Sequence, residues 1–157
     1  MSNIEILKFD CGGMKNGSRF PVKNTGRGDD LSPVFTFYNL SDDAKTIAIT
    51  LDDLDVPFFD AYNHWVIWNI PAQKSIPEGI PHGETVPSLG NAVQGIGYGR
   101  HRYSGPKPPQ GKRHRYQFNI YVLNSEISLD GESHKKVLLK AIEPFVIQHG
   151  TVTGVFE

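Results

Sequence analysis

Three stretches of this 157-residue chain repeat apolar side chains at every second position, and a chain patterned this way folds as paired strands. Residues 46–51 alternate most clearly: Ile47, Ile49 and Leu51 point one way, and Thr46, Ala48 and Thr50 the other. In residues 64–70, Val66, Trp68 and Ile70 share one face, while Trp65 and Ile67 make the other face apolar as well. Such a strand is expected at the centre of a structure covered on both sides. In residues 116–123, Phe118, Ile120 and Val122 line one face. Residues 4–9, 34–38 and 151–156 read as further strands, with at most a short one near Phe20. One helix is expected late in the chain. Asp130 and Ser133 offer caps, Val137, Leu138, Ala141, Ile142 and Phe145 recur at near-helical spacing, and Gly150 is placed as the stop. The expectation is a mainly β single domain over residues 1–157.

Residues 71–113 are rich in Gly and Pro, which supply unusual backbone angles and remove donors. An irregular segment of that length inside one domain points to function. The net charge of -1 argues against duplex nucleic acid or an anionic membrane as dominant partner. No run approaches the ~20 apolar residues of a membrane span. The chain opens without a basic stretch followed by an apolar run, so a cytoplasmic protein is expected, although a removed leader would leave the same pattern. A lone Cys11 excludes an internal disulfide and a Cys-rich zinc site.

Chemistry gathers at the strand ends. Asp53 and Asp55 continue the parity of Ile47, Ile49 and Leu51, and Pro57 then stops pairing. His64 opens the second strand on the parity of Val66, Trp68 and Ile70; His114 and Tyr116 open the third on the parity of Phe118. The short connection between the first two strands makes them antiparallel neighbours. If the third runs parallel to the second, three strand ends bring two acids, two imidazoles and a phenol to one rim. Taken singly, these residues are also ordinary: Asp53 and Asp55 can be turn formers, and His64 a surface residue.

Asp53-Leu54-Asp55-Val56-Pro57 resembles the D-x-D-x-P motif of the phosphatidylethanolamine-binding protein family, which includes the Raf kinase inhibitor proteins. His64-Trp65-Val66-Ile67-Trp68-Asn69-Ile70-Pro71 resembles its H-W-V-x-x-N-I-P strand. Gly105-Pro106-Lys107-Pro108-Pro109-Gln110-Gly111 and His114-Arg115-Tyr116 resemble its G-P-x-P-P-x-G and H-R-Y signature. Gly28-Asp29-Asp30-Leu31-Ser32-Pro33 is similar to its G-x-D-x-S-P segment. The compact length resembles the bacterial and archaeal, Raf kinase inhibitor-like branch. The resemblance implies an antiparallel two-sheet β-sandwich with one C-terminal helix. It also implies a pocket for phosphate, phosphorylated head groups or carboxylates lined by Asp53, Asp55, His64, His114 and Tyr116, with Gly105 and Pro108 near its mouth. The resemblance also implies a cis peptide before Pro57, since proline is where a cis bond costs little. The chain departs from the pattern in the basic run Arg100-His101-Arg102 and in Lys112-Arg113.

Two carboxylates beside an anion would repel it. Two resolutions are expected: the acids accept hydrogen bonds from His64 and His114, raising the imidazole pKa, or one acid stays protonated. Either way, anion affinity should strengthen as pH falls through the imidazole range. The expected role is a small-anion or phosphorylated-ligand binder, regulating a kinase or protease partner and able to form a homodimer, with no cofactor, no metal and no enzymatic activity. One alternative is a hydrolase using the same side chains, although G-x-S-x-G and H-E-x-x-H are absent. Another is an interaction protein acting through residues 100–115, with a vestigial pocket.

Overall fold

Apolar alternation becomes ten strands among the described residues. In chain order they are β1 (Glu5–Ile6), β2 (Phe9–Cys11), β3 (Phe35–Phe37), β4 (Thr46–Asp53), β5 (Tyr62–Pro71), β6 (Ser75–Ile76), β7 (Thr85–Val86), β8 (Ala92–Gln94), β9 (His114–Leu123) and β10 (Val146–Phe156). One α-helix, α1 (Lys135–Ile142), precedes β10. The computed structural model describes residues 3–157. Residues 1 and 2, part of the opening stretch read for a leader, lie outside the described residues.

Seven strands form one sheet in the order β1-β10-β9-β4-β5-β8-β7, and β2-β3-β6 form a second. β4 is central and buried along its whole length, because both of its faces are covered. On one face Ile47, Ile49 and Leu51 pack with Trp65, Ile67, Phe118, Ile120 and the small sheet's Phe35 and Phe37. On the other, Ala48, Val66, Trp68 and Leu123 meet Leu138 and Ile142 of α1. Burying Leu138 and Ile142 contributes about 1.5–3 kcal/mol each, which anchors so short a helix. Aromatic rings knit the main core: Trp65 meets Tyr103 edge-on at 5.2 Å, and Phe118 stacks on Phe20 at 5.8 Å.

Three expectations need correction. The strand placed over residues 4–9 is two strands in different sheets: β1 pairs with β10, and β2 with β3. Gly150 does not stop an element but lies inside β10. A Cβ there would sit 2.7 Å from the Phe9 ring and 2.9 Å from the Leu7 carbonyl, so glycine lets the crossing chain pass over the sheet. The third correction concerns facing. In β5 it is Trp65 and Ile67, opposite Leu51 and Ile49, that share the main core; Val66 and Trp68 face the helix. Two register shifts interrupt β5. One makes His64 an extra residue between the Asn63 and Trp65 pairings; the other lies between Ile67 and Ile70. Each extra residue reverses facing, so Ile70 returns to the main core and His64 is released from the side of Val66 and Trp68. At the second bulge Asn69 adopts φ +59°, and its side chain bonds both the N–H and the carbonyl of Ile127 at 2.9 and 2.8 Å.

Candidate functional site

β4 pairs antiparallel with both β5 and β9, so β5 and β9 run parallel to each other and their starts flank the end of β4. Asp53 lies directly between Tyr62 of β5 and Tyr116 of β9. The cleft that opens there, about 940 Å³, is lined by Asp53, Asp55, His64, Pro108, His114 and Tyr116 together.

The acids are already engaged. Asp53 is 4% exposed. Its Oδ2 accepts the His114 Nδ1–H at 2.7 Å, and its Oδ1 accepts the Asp55 N–H at 2.9 Å. Asp55 is held by Arg115: the main-chain N–H donates at 2.7 Å, Nε at 3.0 Å and Nη2 at 2.9 Å. Those hydrogen bonds hold the Asp55 carboxyl below the usual carboxylate range. Burial, with Asp53 beside it, pushes the Tyr116 phenol upward, so it remains a protonated donor.

His64 differs from expectation. Its Nδ1 bonds the Ser104 carbonyl at 2.9 Å, not a carboxylate. A carbonyl only accepts, so Nδ1 carries the proton and the neutral ring leaves Nε2 as an acceptor. Burial lowers the His64 pKa, outweighing the Ser104 carbonyl and the charge of Asp53. The expected pairing of both imidazoles with carboxylates therefore holds for His114 alone.

Gly105 is also corrected. It lies beside a smaller neighbouring cavity with Ser104 and Arg102, not on the wall of the main cleft. Its N–H is spent on Asp30 Oδ1 at 2.7 Å, and a Cβ would meet the Asn24 carbonyl at 2.2 Å. Glycine is needed here for close packing. Asp30 of the G-x-D-x-S-P segment and the two residues Gly26 and Arg27 just ahead of that segment thus clasp the loop that carries Pro108: Gly26 N–H donates to the Pro106 carbonyl at 2.9 Å, and Arg27 Nη2 bonds the Pro108 carbonyl. Burial raises the Asp30 carboxyl, opposed by the Gly105 N–H. The peptide before Pro57 is trans, like every other among the described residues.

Sequence reasoning missed an aromatic wall and part of a cationic rim. Tyr98 meets the His64 ring edge-on at 4.8 Å and Tyr62 at 5.5 Å, and Phe59 completes the apolar side of the mouth. An aromatic isolated among glycines, Gly97-Tyr98-Gly99, was the available signal. Lys107, Lys112 and Arg113 also line the cleft, three cations beyond the Arg115 that engages Asp55.

The family model described as phosphatidylethanolamine-binding protein matches residues 12–157. The chain belongs to the phosphatidylethanolamine-binding protein family. A UPF0098 protein of Pyrococcus horikoshii is 39% identical over 144 residues, 90% of this chain and 72% of the relative. The UPF0098 protein YbhB of Escherichia coli is 27% identical over 76% of this chain and 80% of its own. Among solved structures, E. coli YbcL, described as a member of the mammalian PEBP family, superposes with a TM-score of 0.82 at 26% identity, covering 96% of this chain and 98% of YbcL. A PEBP homologue from Chlamydia trachomatis gives 0.83 at 26% identity, over 97% of each chain. The two-sheet fold with a single helix is thus that of the PEBP family. No helix among the described residues is long and apolar enough to cross a membrane.

Proposed function

We propose that this PEBP-family chain binds a small anion or phosphorylated group in the cleft at the ends of β4, β5 and β9, as a binding module and not as a catalyst. The observation that carries the proposal is the Asp53–His114 pair. With Nδ1–H fixed on a buried carboxylate at 2.7 Å, His114 turns its other nitrogen away from Asp53. Asp53 thereby fixes the tautomer and the orientation of the ring toward the ligand. Asp55 does not repel the ligand, because Arg115 occupies both of its oxygens. The Tyr116 hydroxyl and the three remaining cations, Lys107, Lys112 and Arg113, supply further donors, and the aromatic residues Tyr62, Tyr98 and Phe59 suit an apolar portion of the ligand.

Calorimetric titration with inorganic phosphate tests this. Binding is expected for the parent and at least tenfold weaker binding for His114→Ala; equal affinity in the two proteins refutes the assignment. The regulatory role extends the same reading. A kinase or protease partner would be engaged from the rim of the cleft, and its capture should weaken when phosphate fills the site.

A hydrolase reading draws on the same imidazole–carboxylate pair, which resembles a general base with its orienting acid. Release of p-nitrophenol from p-nitrophenyl phosphate or acetate, lost in His114→Ala, would favour it over simple binding.

A further inference from the structure

The basic run Arg100-His101-Arg102 takes no part in the main cleft, and its imidazole has an arrangement of its own. His101 Nδ1 bonds the Gln94 carbonyl at 2.7 Å, which fixes the proton on Nδ1. Nε2 then faces two carboxylates, Glu132 Oε1 at 3.3 Å and Glu84 Oε1 at 3.7 Å. All three candidate ligand atoms lie within 4.8 Å of one another, and no other such trio occurs among the described residues.

The platform beneath them is rigid. Gln94 is fully buried, and its side chain donates to the Pro81 and Gly83 carbonyls at 2.9 Å each while accepting from the Trp65 indole at 2.8 Å. The Gly83 N–H bonds the His101 carbonyl at 2.9 Å, and the Gln94 N–H bonds the Glu84 carbonyl at 2.8 Å. Glu132 comes from the turn ahead of α1. There Gly131 makes room for the Glu84 carboxyl, since a Cβ on residue 131 would lie 2.5 Å from Glu84 Cδ.

With Nδ1 turned to Gln94, Nε2 and the two carboxylates converge on one point from three segments of the chain, the arrangement of a donor set around a cation. We propose that Glu84, His101 and Glu132 form a binding site for a divalent transition metal of the zinc type, with solvent completing its coordination. Imidazole selects such metals over calcium or magnesium. Carboxylates and one imidazole are ordinary zinc ligands, and the Gln94 carbonyl supplies the outer-shell partner that orients a metal-bound His. The metal would tie three segments together: the chain before β7, the loop after β8 and the turn before α1. It would act as a clamp outside the anion cleft.

The test is calorimetric titration of the EDTA-stripped full chain with ZnCl2, together with its melting temperature with and without zinc. The expected result is one zinc per chain and a higher melting temperature, with at least tenfold weaker binding in His101→Ala and in Glu132→Gln. Glu132 is exposed, so its variant folds whatever becomes of the other. A His64→Ala/His114→Ala double variant should bind zinc as the parent does. Each of three results would overturn the proposal: no stoichiometric zinc, unchanged affinity in both site variants, or calcium bound as tightly as zinc.

Discussion

Replacing Asp53 with Asn keeps the shape of a buried side chain and removes its charge, and the consequence follows from two contacts. The Asp53 carboxylate accepts one hydrogen bond from the Asp55 N–H at 2.9 Å and another from His114 Nδ1–H at 2.7 Å. An amide offers a single acceptor oxygen. If that oxygen serves Asp55, the NH2 faces Nδ1–H, and the imidazole either takes the other tautomer or loses its partner. The charge-assisted bond that orients the His114 ring is then gone, at a cost of about 1.5–3 kcal/mol. Phosphate affinity at pH 6 should therefore fall roughly ten- to hundredfold by isothermal titration calorimetry. Stability in urea should change less, by about 1 kcal/mol, because the cost of burying a charge disappears with it. Asp55→Asn is the comparison. Its pair with Arg115 is solvent-exposed and screened, so the expected loss of affinity is smaller. Asp53→Asn binding phosphate as tightly as the parent, or less impaired than Asp55→Asn, would refute the reasoning.

Further consequences follow from the same geometry. Burial holds the His64 pKa below its ordinary 6.5, so the unfolded chain takes up that proton first; stability to urea should fall as pH drops below about 6.5, with a shallower fall in His64→Asn. By linkage, an anion that favours the protonated ring should bind more tightly over that same acidic window. Sulfate, which does not itself titrate there, shows this in calorimetry, and a pH-independent affinity would rule His64 out as a donor. Lys135 donates to the buried Asp52 at 2.6 Å; Lys135→Met strands that charge and should cost about 2–3 kcal/mol in chemical denaturation, somewhat less than a fully buried pair because the lysine is partly exposed. Phe118→Ala, which empties the centre of the main core, should cost about 3–5 kcal/mol in the same assay.

The sequence reveals the strands of the large sheet because β4, β5 and β9 are long and strongly apolar; the short connection made β4 and β5 antiparallel neighbours, whereas the arrival of β9 beside them stood only as a condition until the fold supplied it. Parity placed Asp53, His114 and Tyr116 correctly, since β4 and β9 pair without a break from Thr46 to Asp53. For His64 parity reached the right location by a wrong route. The bulge that turns it toward the cleft is a pairing event between strands, with no local sequence signal. Gly105 shows the limit of motif transfer: its presence was legible, but its work, packing on Asn24 and bonding Asp30, depends on a segment 75 residues earlier. Tyr62 and Tyr98 escaped because aromatic side chains near turns are common, and only the fold shows that both stand against His64. The fate of Asp55 was equally hidden, since Arg115 sits in the H-R-Y signature as a mere spacer until β9 brings it alongside.

Nitrogen-15 NMR of the imidazole rings during a sulfate titration at pH 6 reports directly on whether the meeting of β4, β5 and β9 makes an anion site. The account predicts saturable shifts of Nε2 in His64 and His114, with His82, His101, His134 and His149 unmoved. Shifts confined to those four rings, with His64 and His114 silent, would contradict it.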